Sequence, residues 1–155
     1  MERLPITKEG YQNLKKELEK LKSIDRPENI KAIEVARSHG DLSENAEFDA
    51  AKERQAFIEG RINELEYKLG KADIIDTSNL PHDKVVFAST FILENMDTGE
   101  EVKYQLVGED ESDIIKGKIS ISSPLGRAIL GKAPGDEVVL QAPGGKRSYE
   151  LVEIV

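Results

Sequence analysis

Two carboxylates three residues apart, Asp41 and Glu44, sit in the stretch Ala36-Arg37-Ser38-His39-Gly40-Asp41-Leu42-Ser43-Glu44-Asn45-Ala46-Glu47-Phe48. Two chemistries fit that spacing. Asp41 can cap the start of a following helix while Glu44 reaches back as in a capping box, and acids there also suit the helix dipole. Alternatively, both carboxylates face outward to hold a divalent cation. Such a pair is an incomplete magnesium site, because Mg²⁺ wants six oxygens and takes only one or two from a protein, with water and phosphate supplying the rest. It would matter only where another macromolecule brings the remaining ligands and the substrate. The readings are compatible, since a cap can fix the geometry of a metal ligand.

Arg37 and Lys52 flank these acids. They can contact RNA phosphate or a channel in a partner protein, or pair with Glu34 or Glu53 as ordinary surface charges. His39 has an accessible pKa and could shuttle a proton, although a lone exposed histidine beside a helix-ending glycine is expected to be incidental. Glu109-Asp110-Glu111-Ser112-Asp113 lacks the ligand alternation and the glycine of a calcium loop. It reads as a solvated acidic turn, one that could face basic residues of a partner.

Two long helices must position the acidic turn, from about Thr7 to Lys71. Tyr11, Leu14, Leu18 and Leu21 alternate spacings of three and four, a coiled-coil seam that Ile30 and Ile33 resume. Pro27 removes a backbone donor, so a kink or restart is expected near Ile24 to Pro27. Gly40 can take the left-handed conformation that ends the helix. Ala51, Ile58, Ile62, Leu65, Leu69 and Ala72 form the second seam, and the short turn forces an antiparallel hairpin. An arm of about 30 residues spans about 45 Å. The hairpin buries little of itself and is built to reach.

From Lys84 the pattern turns to short alternating stretches. Strands are expected at Val85 to Leu93, Val102 to Val107, Lys118 to Ser122, Glu137 to Gln141 and Ser148 to Val155, with turns at Asp97-Thr98-Gly99 and Pro143-Gly144-Gly145. Ser123-Pro124 and Gly131 bracket a short helix. The fold class is α+β: a hairpin over 1–75, a linker over 76–83, and a compact antiparallel sheet domain with one short helix over 84–155.

The 155 residues carry a net charge of -8, with 22 Lys+Arg against 30 Asp+Glu. That argues against a free-standing nucleic-acid binder, whose affinity comes largely from phosphate neutralisation. Residues 1–75 hold 14 basic and 16 acidic side chains against 8 and 14 beyond, so basic patches are confined to the first part. The absence of cysteine excludes disulfides, thiolate zinc sites and cysteine nucleophiles, and suits the reducing cytoplasm. Met1 to Pro5 shows no signal pattern, and no apolar run reaches the roughly 18 residues of a membrane span. A soluble cytoplasmic protein is expected.

Ala36-Arg37, Gly40-Asp41-Leu42, Glu44-Asn45-Ala46-Glu47 and Ala50-Ala51-Lys52-Glu53 together resemble the signature of the Gre transcript-cleavage factors of bacterial RNA polymerase. Ser122-Ser123-Pro124-Leu125, Ala128, Leu130-Gly131-Lys132 and Gly135-Asp136 resemble that family's C-terminal segment. Phe48 stands where many relatives have Tyr. The near-balanced charge of residues 1–75 matches the branch with the smaller basic patch on its coiled coil. The resemblance implies a monomer whose C-terminal domain, similar in fold to FKBP-type prolyl isomerases, docks at the rim of the polymerase secondary channel. The coiled coil would pass down the channel. Asp41 and Glu44 would help hold a second Mg²⁺, shared with polymerase and absent from the protein alone, and would position the attacking water. The polymerase itself then cleaves the 3′ end of backtracked RNA in short fragments, so the chain is no enzyme on its own. Arg37, Asn45, Lys52, Ser123 and Pro124 are implied as binding residues.

Two rivals share this shape. A channel-binding inhibitor would occupy polymerase without stimulating cleavage, but such relatives differ mainly at the tip. A prolyl isomerase needs a concave aromatic-lined pocket, for which only Phe87, Phe91, Tyr104 and Tyr149 are on offer.

Overall fold

The computed structural model describes residues 3–40 and 45–155, so Asp41 and Glu44 lie outside the described residues. The chain forms two compact units. One is Tyr11–Ala72; the other joins Asp73–Val155 with the residues up to Gly10. That division differs from a boundary at residue 75. Leu4–Thr7 form a strand, β1, which pairs in a two-stranded sheet with a second strand, β2, at Ala72–Ile75. The pairing returns the first residues to the sheet unit. With Pro5 inside it and only four residues of pattern, this strand has no periodicity to announce it.

The first arm begins with helix α1, Lys8–Lys20, and ends with α2, Arg26–Arg37. Between them Leu21–Asp25 form a π turn, in which the Arg26 N–H donates to the Leu21 carbonyl. Pro27 has no N–H to give, so the expected fault falls here as a widened turn rather than a break. The wider turn carries one more residue than an α-helical one and shifts the seam. Leu14, Leu21, Asn29, Ile33 and Ala36 are buried, whereas Ile30 is exposed. A seven-residue step from Leu21 leads to Glu28; the extra residue moves the seam on to Asn29, then Ile33 and Ala36, and leaves Ile30 off it.

The second arm is α3, Ala46–Lys71, whose 26 residues span about 39 Å. It buries Ala51, Ile58, Ile62 and Leu65. Leu69 is half-buried, while Ala72 leaves the helix in extended conformation. Contacts between the arms run in antiparallel order, from Ala36 with Asn45 through Asp25 with Arg54 to Glu17 with Arg61, and further ion pairs join them. Glu17 accepts two hydrogen bonds from Arg61 at 2.6 and 3.0 Å, Arg26 donates two to Glu59 at 2.9 and 2.7 Å, and Lys22 meets Glu66 at 2.8 Å. The hydrogen bond from Arg26 holds the Glu59 carboxyl below its ordinary range. These partly exposed pairs set alignment more than stability; the buried seam supplies most of the latter.

The sheet unit is built on β3 (Thr90–Asn95), β4 (Glu101–Val107), β5 (Lys118–Ser120), β6 (Glu137–Ala142) and β7 (Gly145–Ile154). Their order is β5-β4-β3-β7-β6. One helix, α4 at Pro124–Ile129, packs its Ile129 into the core with Val85, Phe91, Leu93, Leu106, Ile119, Val138 and Leu151. The sheet is not wholly antiparallel. β5 runs parallel to β4, pairing Leu106 with Ile119, because the chain between them makes two short 3₁₀ turns instead of a hairpin.

The strand expected from Val85 begins only at Thr90. Ala88 takes a positive φ of 73°, and the Val86 N–H donates to Ser89 Oγ at 2.9 Å. These fold Val85–Ser89 into a turn whose apolar residues serve the core. Phe91 is fully buried and Tyr104 meets its ring edge-on at 6.4 Å, so these aromatics are core rather than the lining of an isomerase pocket. The acidic turn is not simply solvated either. Glu111 accepts hydrogen bonds from the backbone N–H groups of Thr7 and Gly108, and Asp113 accepts one from the Ile115 N–H.

Candidate functional site: the hairpin tip

The residues flanking the tip show what caps the second arm. Asn45 is the N-cap of α3: its backbone is extended, and its Oδ1 accepts from the N–H groups of Glu47 at 3.0 Å and Phe48 at 3.1 Å. Neither Asp41 nor Glu44 fills that position, which corrects the capping-box reading. Asn caps as well as Asp, and Asn45 directly precedes the helical run, so a signal for it was present. It was outweighed by the Asp-x-x-Glu spacing.

Asn45 has a second task. Its Nδ2 donates to the Ala36 carbonyl at 2.6 Å, tying the start of α3 to the end of α2. Ala36 itself is buried, 2% exposed, so the arms close tightly at this level. The first arm ends with a bond from the His39 N–H to the Ala36 carbonyl and another from the Gly40 N–H to the Arg37 carbonyl, both 3.2 Å. Gly40 has φ 95°, a conformation that glycine alone adopts without cost. The ends of the four-residue stretch that carries Asp41 and Glu44 are thus both fixed by hydrogen bonds.

The other candidates differ in their surroundings. His39 Nε2 lies 3.5 Å from Glu47 Oε2, which gives the histidine a local partner. Lys52 Nζ donates to Gln55 Oε1 at 2.8 Å along its own helix, and Arg37 is exposed. Among the described residues no group of three or more His, Cys, Asp or Glu could hold a metal ion.

Ser123 and Pro124 belong to the sheet unit. Ser123 Oγ accepts from the Gly126 N–H at 3.0 Å and donates to the Ser120 carbonyl at 2.6 Å, capping α4. Pro124 is exposed at its first position. Beside it lies an open apolar groove lined by Ile114, Lys118, Ile119, Pro124, Leu125 and Leu140. Ile114 and Ile115 stand out at 63% and 93% exposed.

Family models match both parts of the chain: a transcription elongation factor N-terminal domain over residues 4–74, and a GreA/GreB C-terminal domain over residues 80–155. The chain belongs to the GreA/GreB family of transcription elongation factors. The transcription elongation factor GreA of Hyphomonas neptunium is 55% identical over 100% of this chain and 99% of the relative. GreA of Neisseria meningitidis serogroup A is 56% identical over 99% of this chain and 98% of the relative. The solved structure of the transcription factor Gfh1 is 31% identical over 99% of both chains, with a TM-score of 0.48. Members of this family are transcription elongation factors that stimulate transcript cleavage. Among the described residues no helix is long and apolar enough to cross a membrane.

Proposed function

We propose that this chain enters the secondary channel of bacterial RNA polymerase as a monomer in the cytoplasm and stimulates cleavage of the 3′ end of backtracked RNA. The hairpin carries Asp41 and Glu44 to the polymerase active site, where the two carboxylates would help hold a shared Mg²⁺ and orient water. Bound there, the ion would stabilise charge developing on the phosphate and make the water a stronger nucleophile. Arg37 and Lys52 face RNA phosphate or the channel wall. Asn45 holds the tip. The single observation behind this reading is that the side chain of Asn45 caps α3, directly after the stretch that carries both acids. The chain supplies too few ligands to cleave RNA by itself.

The test uses stalled elongation complexes with labelled RNA. Full-length protein should shorten backtracked transcripts from the 3′ end, and the same protein with RNA and Mg²⁺ but no polymerase should leave the RNA intact. Polymerase occupancy without cleavage would favour the inhibitor, and cleavage of free RNA would overturn the helper role.

The apolar groove beside Pro124 supports docking of the sheet unit on polymerase. Ile114→Asp, in the lining of that groove, should raise the concentration for half-maximal cleavage about five- to tenfold, the effect of about 1 kcal/mol of lost apolar contact. The maximal rate should stay the same. Being surface-exposed, the change should alter stability by less than about 0.5 kcal/mol. A titration curve that does not move would exclude this surface from docking.

A further inference from the structure

The first turn of α1 is held by a carboxylate from far along the chain. Thr7 is its N-cap: the Gly10 N–H donates to Thr7 Oγ1 at 3.0 Å. Glu111 in turn receives the Thr7 N–H at 3.2 Å and the Thr7 hydroxyl, together with the Gly108 N–H at 3.1 Å. Three donors therefore converge on one acceptor group, beside Thr7, which is only 6% exposed. Two glycines make the room. A Cβ on Gly10 would collide with the Glu111 carboxyl, and one on Gly108 would press on the Pro5 carbonyl at 3.2 Å. Lys118 adds an ion pair to Glu9 at 3.4 Å.

Nothing in a solvated acidic turn requires this arrangement. A glycine at the third position of a helix is a poor helix former, and a carboxylate directed inward loses hydration unless donors replace it. Both features have a use if the first turn of α1 must be fixed to the sheet unit. From Lys8 the helix continues unbroken to Lys20, into the first arm of the hairpin.

We propose that Glu111 is a positioning residue for transcript cleavage: its carboxylate clamps Thr7 and the first turn of α1, so that the arm leading to the acidic tip starts from a fixed root. The positioning role rests on the function proposed above, whereas the clamp does not. Loss of the clamp should therefore lower the maximal cleavage rate more than it weakens binding to polymerase.

Three variants of the full-length protein test this. Glu111→Ala removes the acceptor. Gly10→Ala keeps the acid but displaces it, while ordinary helix propensity would make the same change favourable. Gly60→Ala, at a helical glycine with open space around it, is the control. Because the chain has no cysteine, spin labels at Lys8→Cys and Glu101→Cys, both in the sheet unit, report the root directly. Glu111→Ala and Gly10→Ala should each broaden that distance distribution and reduce the maximal cleavage rate about fivefold, roughly the effect of one lost hydrogen bond. Half-saturation should change less than about twofold, a split that separates positioning from binding. Gly60→Ala should match the parent. Unchanged distributions in both variants would overturn the clamp. Broadened distributions with an unchanged maximal rate would overturn the positioning role. A parent protein that stimulates no cleavage would overturn the proposed function and the positioning role with it, while the distances would still decide the clamp.

Discussion

Asp41→Asn and Glu44→Gln should each lower polymerase-dependent transcript cleavage about 10²- to 10³-fold, the range seen when one preorganised group that stabilises a transition state is removed. Helical content, thermal stability and polymerase binding should stay close to those of the parent. Two separate facts support the second half of that expectation. The cap of α3 is supplied by the side chain of Asn45, which the changes leave in place. Asn and Gln are also acceptable at cap and capping-box positions, so even a local role in the turn would survive the change. What the amides lack is the anionic oxygen that a hard cation prefers. The double variant should be little worse than the worse single one, because groups acting as one unit are not additive. Added Mg²⁺ or Mn²⁺ should recover part of the rate if weakened ion affinity is the main defect. Near-normal cleavage by both single variants would end the catalytic assignment of Asp41 and Glu44.

The parts of this fold that could be read from sequence are those with a long period or a local steric rule. Leu14, Leu21, Ile33, Ala51, Ile58, Ile62 and Leu65 repeat at coiled-coil spacing and are buried together along the arms. Pro27 marked the fault that became the π turn, and Ser123-Pro124 marked the start of α4. The misses come from effects that no local pattern encodes. The π turn added a residue to the first arm, which carries the seam from Glu28 to Asn29 and leaves Ile30 exposed; the Asn29 Oδ1 is buried with no hydrogen-bond partner among the described residues. Val85 and Ala88 look like strand residues because they are apolar, but a left-handed Ala88 makes them a turn over the core. The parallel pairing of β4 with β5 depends on the path of the connection rather than on strand composition.

The candidate site divides in the same way. Which residue types could do chemistry was visible in Asp41 and Glu44, but not which residue does the capping. Several residues near the turn can cap, and hydrogen-bond geometry chooses among them. Glu111 was harder still. It lies in an acidic run, and its partners Thr7 and Gly10 are about a hundred positions away, so sequence proximity places it among solvated acids. Only the folded unit shows that it faces inward.

Asn45 yields the second large effect, since it caps α3 and ties it to the end of α2. Asn45→Ala removes the cap, worth about 1 kcal/mol. It also removes the cross-arm bond to the Ala36 carbonyl, worth about 1 kcal/mol more. If the acids work only from the closed tip, the combined loss lowers cleavage by at most about 30-fold, since each 1.4 kcal/mol is tenfold in rate. Asn45→Asp separates the two contributions. Asp keeps the acceptor for the Glu47 and Phe48 N–H groups but has no N–H to offer Ala36, so it should retain the helix start and show an intermediate rate. The damage is local to the end of a 26-residue helix. Circular dichroism should therefore change little, and half-saturation, set by docking of the sheet unit, should stay within about twofold of the parent. Hydrogen exchange should quicken at Glu47 and Phe48 in the Ala variant and not in the Asp variant. An Asn45→Ala protein that cleaves at the parental rate would show that the acids do not depend on this cap. A pair of variants with equal rates would show that the bond to Ala36 contributes nothing.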